Sequence, residues 1–246
     1  MIAAIGTGNV ADGVVTASLG TSGTIYANST NPIIDPKGEL AGFCSSTSSW
    51  LPLVCTMNVT VSTEFTRLLL GLSIQELNQL AEKAPVGSEG IILLPYFNGE
   101  RTPALPQAKA TLFGINSLNY TQENLSRSAM EGATFGLKYG MDVLQKQGIK
   151  TEEIRLVGGG SKSAIWRQIV ADILGCPVIC PVVEEAGALG AALQAVWCFE
   201  HQQGSGISLK EITDVSVKLD TNKRAEPIEQ NVTAYSEIFD QYLKLN

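Results

Sequence analysis

The chain has 246 residues, 44% of them hydrophobic, and a formal net charge of −7 from 17 Lys+Arg against 24 Asp+Glu. This hydrophobic content predicts a folded domain with a sizeable core and argues against disorder. The acidic balance lacks the basic footprint of a nucleic-acid-binding protein, and no polybasic segment suits an anionic membrane. We therefore expect neither nucleic acid nor membrane among its partners.

The cysteines and the single histidine restrict the chemistry further. Five scattered cysteines indicate reduced thiols in a cytosolic protein, and none shows the spacing of a zinc site, so no metal site of the chain's own is predicted. The only histidine is His201, at the predicted end of a helix, which disfavours a Ser-His-Asp triad. Met1–Val10 lacks the positive region of a secretory signal, and we expect a cytoplasmic location.

The first half of the chain predicts a β-hairpin followed by helices. Two β-branched, apolar segments flank the short turn Gly20–Ser22, which is typical of a hairpin. Residues 28–56 are rich in Pro, Gly, Ser and Thr and are interpreted as loop with short strands. Ser73 and Glu76 form a capping-box pattern at the start of a helix. The predicted elements are strands Val14–Leu19 and Gly23–Ala27, helices Val59–Leu70 and Ser73–Lys83, and strand Gly90–Pro95.

A long helix is predicted from Thr121 to Gln147, because Thr121 can cap it and Gly148 can end it. Its interior contains Gly132, Gly136 and Gly140, which lie on one face. Each glycine costs about 1 kcal/mol relative to alanine within a helix. We therefore expect another backbone to pack very closely against this face.

The second half alternates predicted strands and helices. Strand Ile154–Val157 is followed by Gly158, Gly159 and Gly160, and the pattern predicts a helix from Ser161 that ends at Gly175. A short strand over Pro177–Cys180 and two further helices, Glu184–Glu200 and Pro227–Leu243, follow. No linker separates two domains, so one domain is predicted.

Two glycine-rich turns are candidate binding sites, each with a plainer alternative. The turn Gly20–Ser22 offers amides and two hydroxyls that suit an anion, or it is an ordinary hairpin turn. The strand–Gly158–Gly160–helix segment suits a nucleotide, because glycine admits a ligand close to the backbone and a helix N-terminus favours anions. Its alternative is a plain strand-to-helix turn.

Other motifs are weaker. Gly6–Ala11 imitates a dinucleotide fingerprint, but no full strand precedes it, which disfavours an NAD-dependent oxidoreductase. Glu152–Glu153 and Glu184–Glu185 are interpreted as solvated helix starts. The polar turn Asn98–Pro103 either positions a substrate or is a structural turn with a local ion pair.

One long segment of the chain has a specific pattern, which consists of Ala110–Ile115, eight further residues and then Asn124–Glu131. This pattern resembles a signature of the FGGY carbohydrate kinases. Leu19–Gly23 resembles its second phosphate hairpin, and Gly158–Ser163 with Trp166–Gln168 resembles its adenosine motif. Pro95–Pro103 and Ala188–Ala192 are most similar to the xylulokinases within the family. The resemblance runs from Met1 to about Ala195 and fades in the tail.

The resemblance implies an α/β fold of the ribonuclease H-like (actin-like ATPase) type, with a mixed five-stranded sheet flanked by helices. It implies that the whole chain, residues 1–246, is the C-terminal nucleotide-binding domain of a sugar kinase that uses ATP and Mg²⁺, with an N-terminal sugar-binding domain not contained in this chain. The implied nucleotide contacts are Gly20, Thr21, Ser22, Gly159, Gly160, Ser161 and Ser163.

The implied reaction is transfer of the γ-phosphoryl group of ATP to a pentulose, D-xylulose above all. The family's general-base aspartate is expected just upstream of Met1, so no catalytic residue is assigned and the chain alone is expected to be inactive. Gluconate, ribulose or glycerol as substrate, and a stand-alone non-catalytic actin-like ATP-binding module, remain alternatives. A homodimer is also compatible with the resemblance.

Overall fold

The computed structural model describes residues 2–246, which form a layered α/β domain. The helices are α1 (Ile2–Gly6), α2 (Thr60–Leu70), α3 (Ile74–Lys83), α4 (Gln122–Lys146), α5 (Ala164–Leu174), α6 (Ala186–Gln202), α7 (Leu209–Ser216) and α8 (Glu229–Leu245). The strands are β1 (Gly13–Leu19), β2 (Gly23–Ala27), β3 (Ala41–Cys44), β4 (Trp50–Thr56), β5 (Ile92–Leu94), β6 (Thr111–Phe113), β7 (Thr151–Val157), β8 (Val178–Pro181) and β9 (Leu219–Ala225).

The main sheet has seven strands in the order β3-β4-β2-β1-β7-β8-β9, so the predicted count of five is too low. A mixed sheet flanked by helices is nevertheless correct. The inner strands β4-β2-β1-β7-β8 make a five-stranded set in which β1, β7 and β8 run parallel. The two additional strands lie at the edges, where pairing on one side suffices and exposed polar residues are tolerated. Strands β5 and β6 form a separate two-stranded sheet.

The two faces of the main sheet carry different helices. The larger core lies between the sheet and α4, α5 and α8, and its fully buried side chains include Ile25, Phe135 and Leu156. On the other face α1 packs against Tyr26 and Leu51 of the sheet, and it packs with α6 and α7 in a smaller apolar cluster. This arrangement leaves the edge formed by the carboxyl ends of β1, β7 and β8 for the candidate site.

Several local predictions change in the structure. The helix predicted from Ser161 begins at Ala164, because a 3₁₀ turn over Gly159–Lys162 precedes it and Ser163 becomes its N-cap. The pair Glu152–Glu153 follows Thr151, the first residue of strand β7, and does not begin a helix. There Glu153 forms ion pairs with Arg155 and, at 2.6 Å, with Arg224 on β9. The interpretation of this pair as a solvated helix start is therefore wrong.

The cysteines differ sharply in exposure, and none of the five forms a disulfide. Cys44 and Cys198 are exposed, whereas Cys176 and Cys180 are buried. Burial raises the pKa of the Cys176 thiol to about 11 and also raises that of Cys180. Because the thiolate is the reactive form, iodoacetamide at pH 8 is expected to label Cys44 and Cys198 first, and Cys176 and Cys180 only in denaturant. Peptide mass spectrometry over a time course measures this order, and early labelling of Cys176 would contradict it.

Candidate functional site

The two predicted glycine-rich turns leave the sheet side by side. Strand β1 ends at Leu19 before the turn Gly20–Ser22, and β7 ends at Val157 before Gly158. These two strands pair in parallel, with Ser18 opposite Val157. Since the carboxyl ends of parallel strands meet at one edge of a sheet, the hairpin turn and the second turn face the same space, as ligand-binding crevices of α/β folds do.

The two turns touch each other through glycine. Gly158 has a φ of 90°, and a methyl group on it would lie 2.7 Å from the carbonyl carbon and oxygen of Leu19. A methyl group on Gly160 would lie 2.8 Å from the Leu19 side chain and 3.0 Å from the ring of Trp166. Any side chain at either position would separate the turns, so these glycines fix the shape of the edge.

The start of α2 holds the hairpin turn in place. The carbonyl oxygens of Gly20 and Thr21 accept hydrogen bonds from the amides of Thr60 (2.9 Å) and Val59 (3.0 Å). The side chains of Thr21 and Ser22 are exposed. Within residues 2–246, no group accepts a hydrogen bond from the amides or hydroxyls of Thr21 and Ser22. The turn therefore presents donors to solvent while its carbonyls point to α2, as an anion cradle requires.

The second turn borders an open cleft of about 180 Å³. The Ser161 hydroxyl donates to the Gly158 carbonyl at 2.7 Å, and the carbonyls of Ser161 and Lys162 accept from Nη1 of Arg167 at 2.8 and 3.1 Å. These bonds hold the turn rigid. The cleft is lined by Leu156, Val157, Gly158, Gly159, Ser161, Lys162, Cys180, Pro181, Val183, Glu184, Glu185 and Lys223.

An ion pair lies at the rim of this cleft. Nζ of Lys162 is 2.9 Å from Oε2 of Glu184, and both side chains are more than half exposed. The hydrogen bond with Glu184 raises the pKa of Lys162, and the hydrogen bond with Lys162 lowers the pKa of Glu184. Both groups are therefore charged at neutral pH. Because an exposed pair is weak, it leaves Lys162 available to a ligand anion.

The seven predicted nucleotide contacts take different positions. Gly20, Thr21 and Ser22 form the hairpin turn, and Gly159 and Ser161 line the cleft. Gly160 is buried beneath the turn. The Ser163 hydroxyl caps α5 through the Trp166 amide (3.3 Å) and donates to Oδ1 of Asn78 (2.8 Å). Gly160 and Ser163 thus shape the site from behind, whereas the other five present groups to it.

Sequence reasoning missed the place of Glu184–Glu185 at this edge and left open the role of the turn Asn98–Pro103. The pair Glu184–Glu185 does precede α6, but it also lines the cleft, because β8 runs parallel to β7 and its end brings the next residues there. The available signal was the predicted strand–helix–strand order over residues 154–180, which favours parallel pairing of the two strands. The turn Asn98–Pro103 is also held near this edge, since Glu100 accepts a hydrogen bond from the Met57 amide at the end of β4 (2.7 Å).

Comparison with known proteins gives one consistent family. Residues 15–199 match the model described as "FGGY family of carbohydrate kinases, C-terminal domain". The chain is 48% identical to the xylulose kinase of Haemophilus influenzae over 99% of its own length and 48% of that protein. A crystal structure of xylulose kinase from Bifidobacterium adolescentis is 36% identical with a TM-score of 0.81, covering 96% of this chain and 45% of that one.

A gluconate kinase from Lactobacillus acidophilus has the same fold, with a TM-score of 0.89 at 24% identity over 99% of this chain and 49% of that one. The chain thus spans about half the length of the curated relatives it matches. Among residues 2–246 no helix is both long enough and apolar enough to cross a membrane.

Proposed function

Because the chain belongs to the FGGY family of carbohydrate kinases, we propose that it is the nucleotide-binding C-terminal domain, residues 1–246, of a kinase that phosphorylates D-xylulose with ATP. The observation that carries this proposal is the contact between two glycine-rich turns at Gly158 and Leu19, beside an open cleft. Phosphoryl transfer depends mainly on positioning and charge neutralisation, and this edge supplies amides, hydroxyls and a lysine for both.

In this proposal the hairpin turn binds phosphate and the second turn binds adenosine. Thr21 and Ser22 offer exposed hydroxyls and amides to the β- and γ-phosphates, with Gly20 allowing close approach. Gly159 and Ser161 line the cleft that receives adenosine, and Gly160 and Ser163 support its wall. The contact between Gly158 and Leu19 sets the distance between the phosphate-binding turn and the adenosine-binding turn.

Mg²⁺ would enter with the nucleotide. Within residues 2–246 no cluster of three or more His, Cys, Asp and Glu side chains is arranged to hold a metal ion. Magnesium at kinase sites is commonly bound by substrate phosphates, waters and one or two carboxylates, so it needs no dedicated protein cage. The hydrogen-bond donors of this edge suit the phosphates of a magnesium–nucleotide complex. The magnesium ion would neutralise charge on those phosphates.

We assign the sugar and the general base to the part of the kinase that these residues do not supply. D-Xylulose is the proposed acceptor because the xylulose kinases share more identical residues with this chain (48% and 36%) than the gluconate kinase does (24%). Gluconate, ribulose and glycerol remain the alternative acceptors. The 246 residues alone are expected to bind nucleotide without phosphorylating xylulose, and a coupled kinase assay measures this. A homodimer and a cytoplasmic location, where ATP is available, are further parts of the proposal.

Substitution of Gly159 tests nucleotide binding in the cleft. A methyl group at Gly159 would meet no atom within 4 Å, so Gly159→Ala is expected to leave the melting temperature unchanged within about 2 °C. If adenosine occupies this space, the same variant weakens Mg·ADP binding about tenfold, measured by titration calorimetry. Gly206→Ala is the matched control, because Gly206 also has open space and lies in the loop between α6 and α7.

Two results would contradict the proposal. Absence of any heat signal with Mg·ADP and Mg·ATP at millimolar concentration would favour a module that does not bind nucleotide. Equal affinities of Gly159→Ala and Gly206→Ala would show that the nucleotide lies elsewhere. A non-catalytic actin-like module would bind nucleotide as well. Only phosphorylation of xylulose by a protein that includes this chain and spans the full length of its relatives separates the two functions.

A further inference from the structure

The turn Asn98–Pro103 is tied to the site by a buried carboxylate. Glu100 is only 4% exposed. Its Oε1 accepts hydrogen bonds from the amides of Met57 and Arg101, both at 2.7 Å, and its Oε2 accepts one from Nδ2 of Asn58 at 3.2 Å. The local ion pair of the structural alternative is not formed, since Glu100 and Arg101 do not pair through their side chains. A carboxylate satisfied in this way fixes the backbone of the turn.

This attachment places the turn beside the hairpin. Strand β4 ends at Thr56, which lies opposite Gly23, the residue directly after the turn Gly20–Ser22. Nδ2 of Asn58 also donates to the Gly99 carbonyl at 2.7 Å, so two successive residues of the Asn98–Pro103 turn are bound to the end of β4. The Glu100 turn and the hairpin turn therefore lie at the same edge of the sheet.

Arg101 is the cation that this turn presents. Its side chain is exposed, and Nη1 contacts Sγ of Cys55 at 3.3 Å. A thiol is a weak, neutral acceptor. Among the ion pairs of residues 2–246 Arg101 takes no part, whereas Arg67, Arg127, Arg155 and Arg224 each pair with a carboxylate. The neighbouring Glu100 carboxylate forms no ion pair with the Arg101 side chain and instead accepts from two amides and from Asn58.

The strand register brings this cation within reach of the hairpin turn. Cys55 lies opposite Thr24, which in turn lies opposite Ser18 on β1, so the three side chains share one face of the sheet. Ser22 is two residues from Thr24. With strands about 4.8 Å apart and a rise of about 3.4 Å per residue, the Cα atoms of Cys55 and Ser22 are about 8 Å apart. An arginine side chain that reaches Cys55 can extend over that distance.

We propose that Arg101 binds the terminal phosphoryl group of the nucleotide. This inference rests on the proposed function, which places the β- and γ-phosphates on the hairpin turn. A guanidinium binds phosphate oxygens through two parallel N–H donors, and it is always charged. ADP lacks the γ-phosphoryl group and so cannot make this contact. The contact therefore favours ATP over ADP, while Glu100 acts as a positioning residue for the arginine.

The test compares nucleotides on one variant and its control. Arg101→Gln is expected to weaken Mg·ATP binding about tenfold in titration calorimetry and to change Mg·ADP and AMP binding less than twofold. Arg101→Lys is expected to recover part of the ATP affinity, because a lysine keeps the charge but loses the bidentate geometry. Lys146→Gln removes the same charge at the end of α4, remote from this edge, and is expected to bind all three nucleotides as the unaltered chain does.

The outcomes separate the two proposals. If the unaltered chain binds no nucleotide, the proposed function and this inference fall together. If it binds Mg·ATP and Mg·ADP, and Arg101→Gln weakens both equally or neither, the nucleotide site stands and the role of Arg101 is overturned. Circular dichroism and the melting temperature of each variant identify any loss of folding, and Arg101→Lys supplies a second reading if Arg101→Gln is unstable.

Discussion

Replacing Glu131 with glutamine is expected to lower the free energy of unfolding by about 3–5 kcal/mol. Glu131 and Arg127 form an ion pair of 2.8 Å with side chains only 3% and 7% exposed. The Glu131 carboxylate also accepts hydrogen bonds from Gly87 N (3.0 Å), Ser88 Oγ (2.7 Å) and Tyr235 Oη (2.6 Å). Loss of its charge would leave the Arg127 guanidinium buried without a counterion, which is far more costly than loss of a surface pair.

Urea denaturation followed by circular dichroism measures this change. Asp214→Asn is the matched control, because Asp214 pairs with Lys210 at 2.6 Å with the same helical spacing but with both side chains more than half exposed. The control is expected to cost about 0.5 kcal/mol or less. Similar losses in the two variants would show that burial does not determine the contribution of the Glu131 pair.

The same network connects the C-terminal helix α8 to helix α4. The family model ends at residue 199, and the sequence resemblance fades at about Ala195. Yet Tyr235 of α8 is buried, and its hydroxyl accepts from Nη2 of Arg127 at 2.8 Å while it donates to Glu131. Burial, with the neighbouring Glu131 charge, raises the pKa of Tyr235 far above its ordinary value, so it stays a neutral donor. Helix α8 thus packs into the main core, although the family model ends before it.

Local signals in the sequence predicted the elements whose residues carry their own pattern. The hairpin, the capped helix at Ser73 and the long helix from Thr121 follow from alternation, caps and helical spacing, and the structure has all three. Strand β9 was missed because its residues are mostly polar, and only pairing with β8 defines it. Helix α7 was missed although Ser208 and Glu211 form a capping box, which was a readable signal.

In the candidate site, too, some features could be predicted from the sequence and others depend on contacts between distant residues. Each glycine-rich turn was visible by itself, but their contact depends on pairing of β1 with β7, strands far apart in sequence. The burial of Glu100 was not readable, since a Glu-Arg pair in a polar turn ordinarily suggests a solvated ion pair. Three-dimensional pairing is therefore what converts two separate turns and a polar loop into one surface.

The energetic cost of three glycines in α4 predicts that another backbone packs closely against the face they share. The structure shows a close approach at some of these glycines and not at others. A methyl group on Gly132 would lie 2.3 Å from the Leu93 carbonyl oxygen on β5, which is backbone and cannot rotate away. A methyl group on Gly140 would lie 2.9 Å from Cγ1 of Val54 and 3.0 Å from Cγ2 of Ile25. At Gly136 the nearest atom, Cγ2 of Thr56, would be 3.8 Å away, an ordinary contact. The close backbone approach is therefore specific to Gly132.

Gly132→Ala is expected to destabilise the domain by about 3 kcal/mol, because α4 must move away from β5 and the core must open. Gly136→Ala, one helical turn further along the same face, is expected to stabilise it by up to about 1 kcal/mol through helix propensity alone. Paired urea denaturation curves measure both, and the opposite signs exclude a general effect of glycine replacement in α4. If both variants were stabilised, the packing of β5 against α4 would be looser than the Gly132–Leu93 contact requires.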